Sequence, residues 1–171
     1  MTVDLNSIKS PSAGDGFQCY CIVAHMLIAC DGGKSDSESH MLLYHALRYF
    51  DAKGAELQNR MQQAQASSIA AINMGRDDLL PIVLTELKEN TSALQRESLY
   101  KMFEELAWCD GLAHNEEKIL TTIREVWEIS DAQIGVGSDA LGNAEELYAG
   151  LAKSKSGCLI WLFPLVLWPA L

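Results

Sequence analysis

The chain has no segment in which apolar and polar residues alternate with a period of two, and only four prolines in 171 residues. A half-buried strand needs that alternation, so a sheet-based fold is excluded and helices are expected. Basic residues are scarce, 13 against 23 acids, for a formal charge of −10. Such a chain repels phosphate, which argues against nucleic acid or an anionic membrane surface as a general partner. The five cysteines (Cys19, Cys21, Cys30, Cys109 and Cys158) are odd in number and follow no pairing pattern. They fit a reducing interior. Residues 1–16 lack a basic-then-apolar leader, so the expected location is the cytoplasm. No Ser-His-Asp order, glycine-rich phosphate loop or His-Glu-x-x-His motif is present, and no nucleophile or base can be named. A non-catalytic protein is expected; metal-dependent hydrolysis is the weakest alternative.

What the chain does have is an internal repeat. Cys30-Asp31-Gly32, five residues and Glu38 are matched by Cys109-Asp110-Gly111, five residues and Glu117. Tyr20, Val23, Ala24, Leu27 and Ile28 precede the first copy; Leu99, Met102, Phe103, Leu106 and Ala107 precede the second. Both sets have the i, i+3, i+4, i+7, i+8 spacing of an amphipathic helix, in the same register relative to Asp-Gly. The unit is helix, tight turn, helix, with Gly32 and Gly111 supplying the positive φ that ends a helix. Ser35 and Glu38 form a capping box for the outgoing helix, but His114 replaces the serine in the second copy. Capping therefore explains Glu38 and leaves Glu117 unexplained.

In chain order, residues 1–16 are expected to be a flexible or loosely docked arm. Phe17–Cys30 reads as a central buried helix, followed by a second from about Asp36 to Ala52 with Met41, Leu42, Ala46, Tyr49 and Phe50 inward. Helices are expected over Ala55–Met74, after a cap at Asp77 or Asp78, from Thr91 or Ser92 to the second Cys-Asp-Gly, and from about Asn115 to Ile129. The fourth has Leu80, Val83, Leu84 and Leu87 on its apolar face; the sixth has Ile119, Leu120, Ile123, Val126 and Trp127. The fold class is all-α, a compact bundle of about six to seven helices built on two pseudo-repeated hairpins. Residues 17–130 form the domain, and 131–156 a loop and short helix. Residues 157–171, GCLIWLFPLVLWPAL, are an uncharged tail. As a helix the tail would cover roughly 22 Å, short of a roughly 30 Å hydrocarbon core, and Pro164 and Pro169 would disturb it. Two readings stand: a tail folded onto the bundle, or a peripheral membrane contact with Trp161 and Trp168 at headgroup level.

Asp31, Glu38, Asp110 and Glu117 are the candidate site. If the hairpins pack with approximate two-fold symmetry, four carboxylates converge, and such a cluster takes up protons or attracts a cation. A hard, oxygen-liganded ion such as Ca²⁺ or Mg²⁺ suits it better than Zn²⁺. The spacing also matches half of an EF-hand loop, but the earlier ligand positions hold Leu27, Ala29, Leu106 and Trp108, which rules that out. The competing reading is turn chemistry alone, with each glutamate at the positive end of its helix. The paired cysteines Cys30 and Cys109, with Cys19 and Cys21, read as small buried hydrophobes, and His25 as a hydrogen-bonded core residue. His40 and His45, five apart, share no helical face well.

These features, Asp-Gly after a helix, a short polar loop and a glutamate opening the next helix, repeated in a helical bundle, resemble the TerB-like tellurite-resistance domain. The N-terminal domain of the membrane-associated co-chaperone DjlA shares that fold. The resemblance covers roughly residues 17–130. It implies a cytoplasmic, non-catalytic module of tellurite and chemical-stress resistance, at or near the inner face of the membrane. It further implies protein partners in a membrane-associated Ter-type complex, and an acidic metal site on Asp31, Glu38, Asp110 and Glu117. The alternative is a purely structural interaction domain, membrane-apposed through its tail.

Overall fold

A computed structural model describes residues 3–30, 35–50, 57, 59–63, 66, 79–130, 146 and 149. Five helices are delimited: α1 (Gly16–Ala29), α2 (Asp36–Tyr49), α3 (Leu79–Asn90), α4 (Ala93–Trp108) and α5 (His114–Trp127). Helical backbone also occurs at positions 57, 59–63, 66, 146 and 149. The protein is an all-α bundle. Among the described residues the only β-structure is a two-residue pair, β1 (Lys9–Ser10) antiparallel to β2 (Gly14–Asp15).

Side-chain capping explains where most of the helices start. Asp15 accepts from the Gln18 amide at 3.0 Å while its own amide donates to Gln18 Oε1 at 3.0 Å. Ser35 with Glu38, and Ser92 with Gln95, form the same reciprocal box for α2 and α4. The end of α3 is closed from outside by Arg96, whose guanidinium donates to the carbonyls of Lys88 (3.0 Å) and Thr91 (2.5 Å). Glu128 ends α5 in the left-handed conformation, φ 57°, and the Ile129 amide returns to the Arg124 carbonyl at 3.1 Å.

The apolar stripes read from the sequence face the core. Helix α1 is buried along most of its length and packs against α2, α4 and α5. Tyr20 at its centre stacks on Phe103 of α4, centroids 5.5 Å apart and planes 9° apart. Phe50 packs on both Phe17 and Tyr20, and Trp127 of α5 packs on Phe103 with centroids 6.3 Å apart. Trp127 also donates its indole N–H to the Leu84 carbonyl at 2.9 Å, so its polar atom is satisfied inside the core.

The arm expected to be loose is packed. Leu5, Ile8 and Ala13 are buried in the core, because the β-pair folds the strand back toward the start of α1. Glu86 of α3 accepts from both Ser10 and Ser12, and Gln95 of α4 donates to the Asp4 carbonyl at 2.7 Å. Gly16 is required there: a Cβ would lie 2.0 Å from the Leu5 carbonyl oxygen. Of the other expectations, Asp77 and Asp78, the 131–142 loop and the 157–171 tail lie outside the described residues, as does most of 55–74. Among the described residues no helix is long and apolar enough to cross a membrane.

Candidate functional site: the paired Asp-Gly corners

The two incoming helices end alike. Cys30 caps α1 at φ −76°, ψ −16°, and Cys109 caps α4 at φ −66°, ψ −22°. Each cysteine amide donates to the carbonyl three residues earlier, Leu27 or Leu106, at 3.3 Å. Gly111 follows with φ +110° and open space where a Cβ would lie, so its role is conformational.

The outgoing helices start differently. Helix α2 has Ser35 at its N-cap, four residues after Asp31, whereas α5 has Ala113 at its N-cap, three residues after Asp110. The second loop is one residue shorter, and this shifts the glutamates. Glu38 occupies the third position of α2 and accepts from the Ser35 amide at 2.5 Å. The same place in α5 belongs to Glu116, which accepts from the Ala113 amide at 2.8 Å. Alanine cannot return the bond, so only half of the box exists in the second copy. Glu38 and Glu116 are each 1 % exposed. Glu117 points outward, its side chain 65 % exposed, with Oε2 3.8 Å from His114 Nδ1.

The corners lie at one end of the bundle. Asn115, at the start of α5, donates its side-chain amide to the Cys30 carbonyl at 3.0 Å. The Cys109 thiol, 7 % exposed, is pushed far above the ordinary thiol range by burial first, and then by Asp110, Glu38 and Glu116. One thiol thus feels carboxylates from both hairpins and stays protonated. Asp110 is exposed at the rim. Asp31 lies outside the described residues. Among the described residues no group of three or more His, Cys, Asp or Glu side chains has a geometry ready to hold a metal ion.

The buried histidines divide. His25 places Nδ1 2.6 Å from the Cys21 carbonyl, the core role expected of it. His45 has a larger part: Nδ1 lies 2.7 Å from the Tyr20 hydroxyl and Nε2 2.9 Å from Glu105 Oε2. That triad links α1, α2 and α4 and was not anticipated, although His45 falls at i+4 from Met41 and i−4 from Tyr49, on the apolar stripe. Its order resembles a nucleophile relay, but the Tyr20 hydroxyl is sealed in the aromatic core. Cys19 and Cys21 are buried, and desolvation raises Cys19 to about 12 and Cys21 higher still. These are packing thiols.

Comparison with family models, with curated proteins and with solved structures finds no match to this chain.

Proposed function

We propose that this chain is a non-catalytic, TerB-like binding module of tellurite and chemical-stress resistance. Its two Asp-Gly corners share a hard divalent cation, Ca²⁺ or Mg²⁺ rather than Zn²⁺, and partner proteins of a membrane-associated Ter-type complex dock on the module. The observation that carries this reading is the Asn115–Cys30 hydrogen bond, which joins two corners that each open a helix with a buried glutamate. The ligand set read from the sequence is Asp31, Glu38, Asp110 and Glu117; Glu116 holds in α5 the third helical position that Glu38 holds in α2, and is added to the set. Carboxylates grouped at one end of an acidic protein repel one another, and a cation relieves that repulsion without help from imidazole or thiolate.

Calorimetry with Ca²⁺, Mg²⁺, Mn²⁺ and Zn²⁺ on the full chain tests this. Binding of a hard cation, weakened tenfold or more by Asp110→Asn or Glu116→Gln and little by Glu117→Gln, is expected. Equal behaviour of wild type and every variant with all four ions would remove the site, leaving a helical interaction module.

A further inference from the structure

We infer that Tyr20, His45 and Glu105 form a proton-sensitive latch that holds α2 against α1 and α4 while His45 is neutral and lets α2 open when it takes up a proton. A single imidazole joins three helices here, with Tyr20 on α1, His45 on α2 and Glu105 on α4. The histidine and the tyrosine are fully buried, and the Glu105 side chain is nearly so. An ionised carboxylate only accepts, so Nε2 carries the proton and donates to Glu105. Nδ1 then accepts from the Tyr20 hydroxyl, and every polar atom of the chain of bonds is used.

An added proton must go to Nδ1, 2.7 Å from Tyr20 Oη. The hydroxyl would have to turn from donor to acceptor, leaving its own hydrogen among the Phe50 and Phe103 rings. A buried donor without an acceptor is costly, as is an imidazolium in this interior. The gain on the other side is the ion pair with Glu105, whose second oxygen already faces Lys101 at 3.9 Å. Among the described residues, the remaining titratable and charged groups around the latch are Cys21 of α1; Tyr44, Arg48 and Tyr49 of α2; and Glu104 and Cys109 of α4. Among these, Glu104 alone adds a carboxylate, and Arg124 of α5 acts on it. Burial pushes the imidazole below the ordinary histidine value, against the opposing pull of Glu105. Opening α2 frees the imidazole to protonate normally, so acid drives the opening.

The test is carried out on the full chain by imidazole NMR and amide hydrogen exchange as a function of pH. His45 should remain the Nε2–H tautomer as the pH falls below 6.5, the ordinary histidine value from which burial lowers it. One proton coupled to opening changes its equilibrium about tenfold per pH unit, so protection factors in α2 should fall about tenfold per unit there while those in α4 hold. Tyr20→Phe removes the hydroxyl that would be stranded and should raise the His45 titration point; Glu105→Gln should lower it. His45 taking up its proton at pH 6.5 or above in the wild type, or α2 and α4 losing protection in parallel, would overturn the latch. These readouts do not involve a cation and are independent of the proposed site.

Discussion

The side-chain amide of Asn115 donates to the backbone carbonyl of Cys30 across 85 residues of sequence, at 3.0 Å. The bond satisfies a carbonyl at the C-terminal end of α1, one of those a helix leaves without an internal partner, and fixes the second corner against the first. Asn115→Ala should cost about 0.5–1.5 kcal/mol in a denaturant titration, the ordinary worth of one such bond. Unchanged stability would mean that the corners are held together by something else.

Gly16 should be intolerant of even a methyl group. A Cβ would meet a backbone oxygen, which cannot swing aside, so Gly16→Ala must push the Leu5 segment off the start of α1. Limited proteolysis should then cleave within residues 3–13, and stability should fall by about 1–3 kcal/mol, as for other overpacked sites. An uncleaved variant with wild-type stability would place the arm elsewhere.

Much of the fold was legible because its signals are local. The stripe Tyr20, Val23, Ala24, Leu27, Ile28 and its counterpart in α4 follow from helical spacing, and the Ser35 and Ser92 caps from residue type. The packed arm was not legible: Leu5 and Ile8 are single apolar residues in a polar stretch, held by Glu86 and Gln95, which are distant in sequence. That Glu116 rather than Glu117 is the buried glutamate of the second corner was hidden for a similar reason. Aligning the copies on Asp-Gly counts residues from the end of the incoming helix, whereas burial is set by position in the outgoing one. The missing cap at His114 was the available sign that the loop had lost a residue. The Tyr20–His45–Glu105 triad depends on how three helices pack, which periodicity alone does not encode.

Thiol chemistry should be selective. Of the four described cysteines, Cys30 is the one that is not buried, while burial holds the thiols of Cys19, Cys21 and Cys109 protonated. Alkylation of the native protein near pH 8, followed by peptide mass mapping, should label Cys30 well before those three. Early labelling of Cys109 would show that the corner opens in solution.

Stability should decline in two stages on acidification. His45 has a depressed value in the folded state, so the unfolded chain binds more protons below about 6.5 and stability falls from there. Glu86, lowered first by its Ser10 and Ser12 bonds, and Glu128, lowered first by its Lys88 bond, contribute stability that is lost as pH falls through their folded values, below 4.5. Glu104, raised by burial, acts in the opposite sense just above 4.5. Denaturation midpoints from pH 8 to 3 should show the first decline in wild type and lose it in His45→Phe. An identical first decline in both proteins would assign it to other groups.

The proposal that the two hairpin corners share one cation is tested by titrating Mn²⁺ into isotope-labelled protein and following paramagnetic broadening of backbone amides. Residues 30–38 and 109–117 should broaden together at the same Mn²⁺ concentration, and Glu116→Gln should weaken both effects in parallel. Broadening confined to one corner, or spread evenly over the acidic surface, would contradict it.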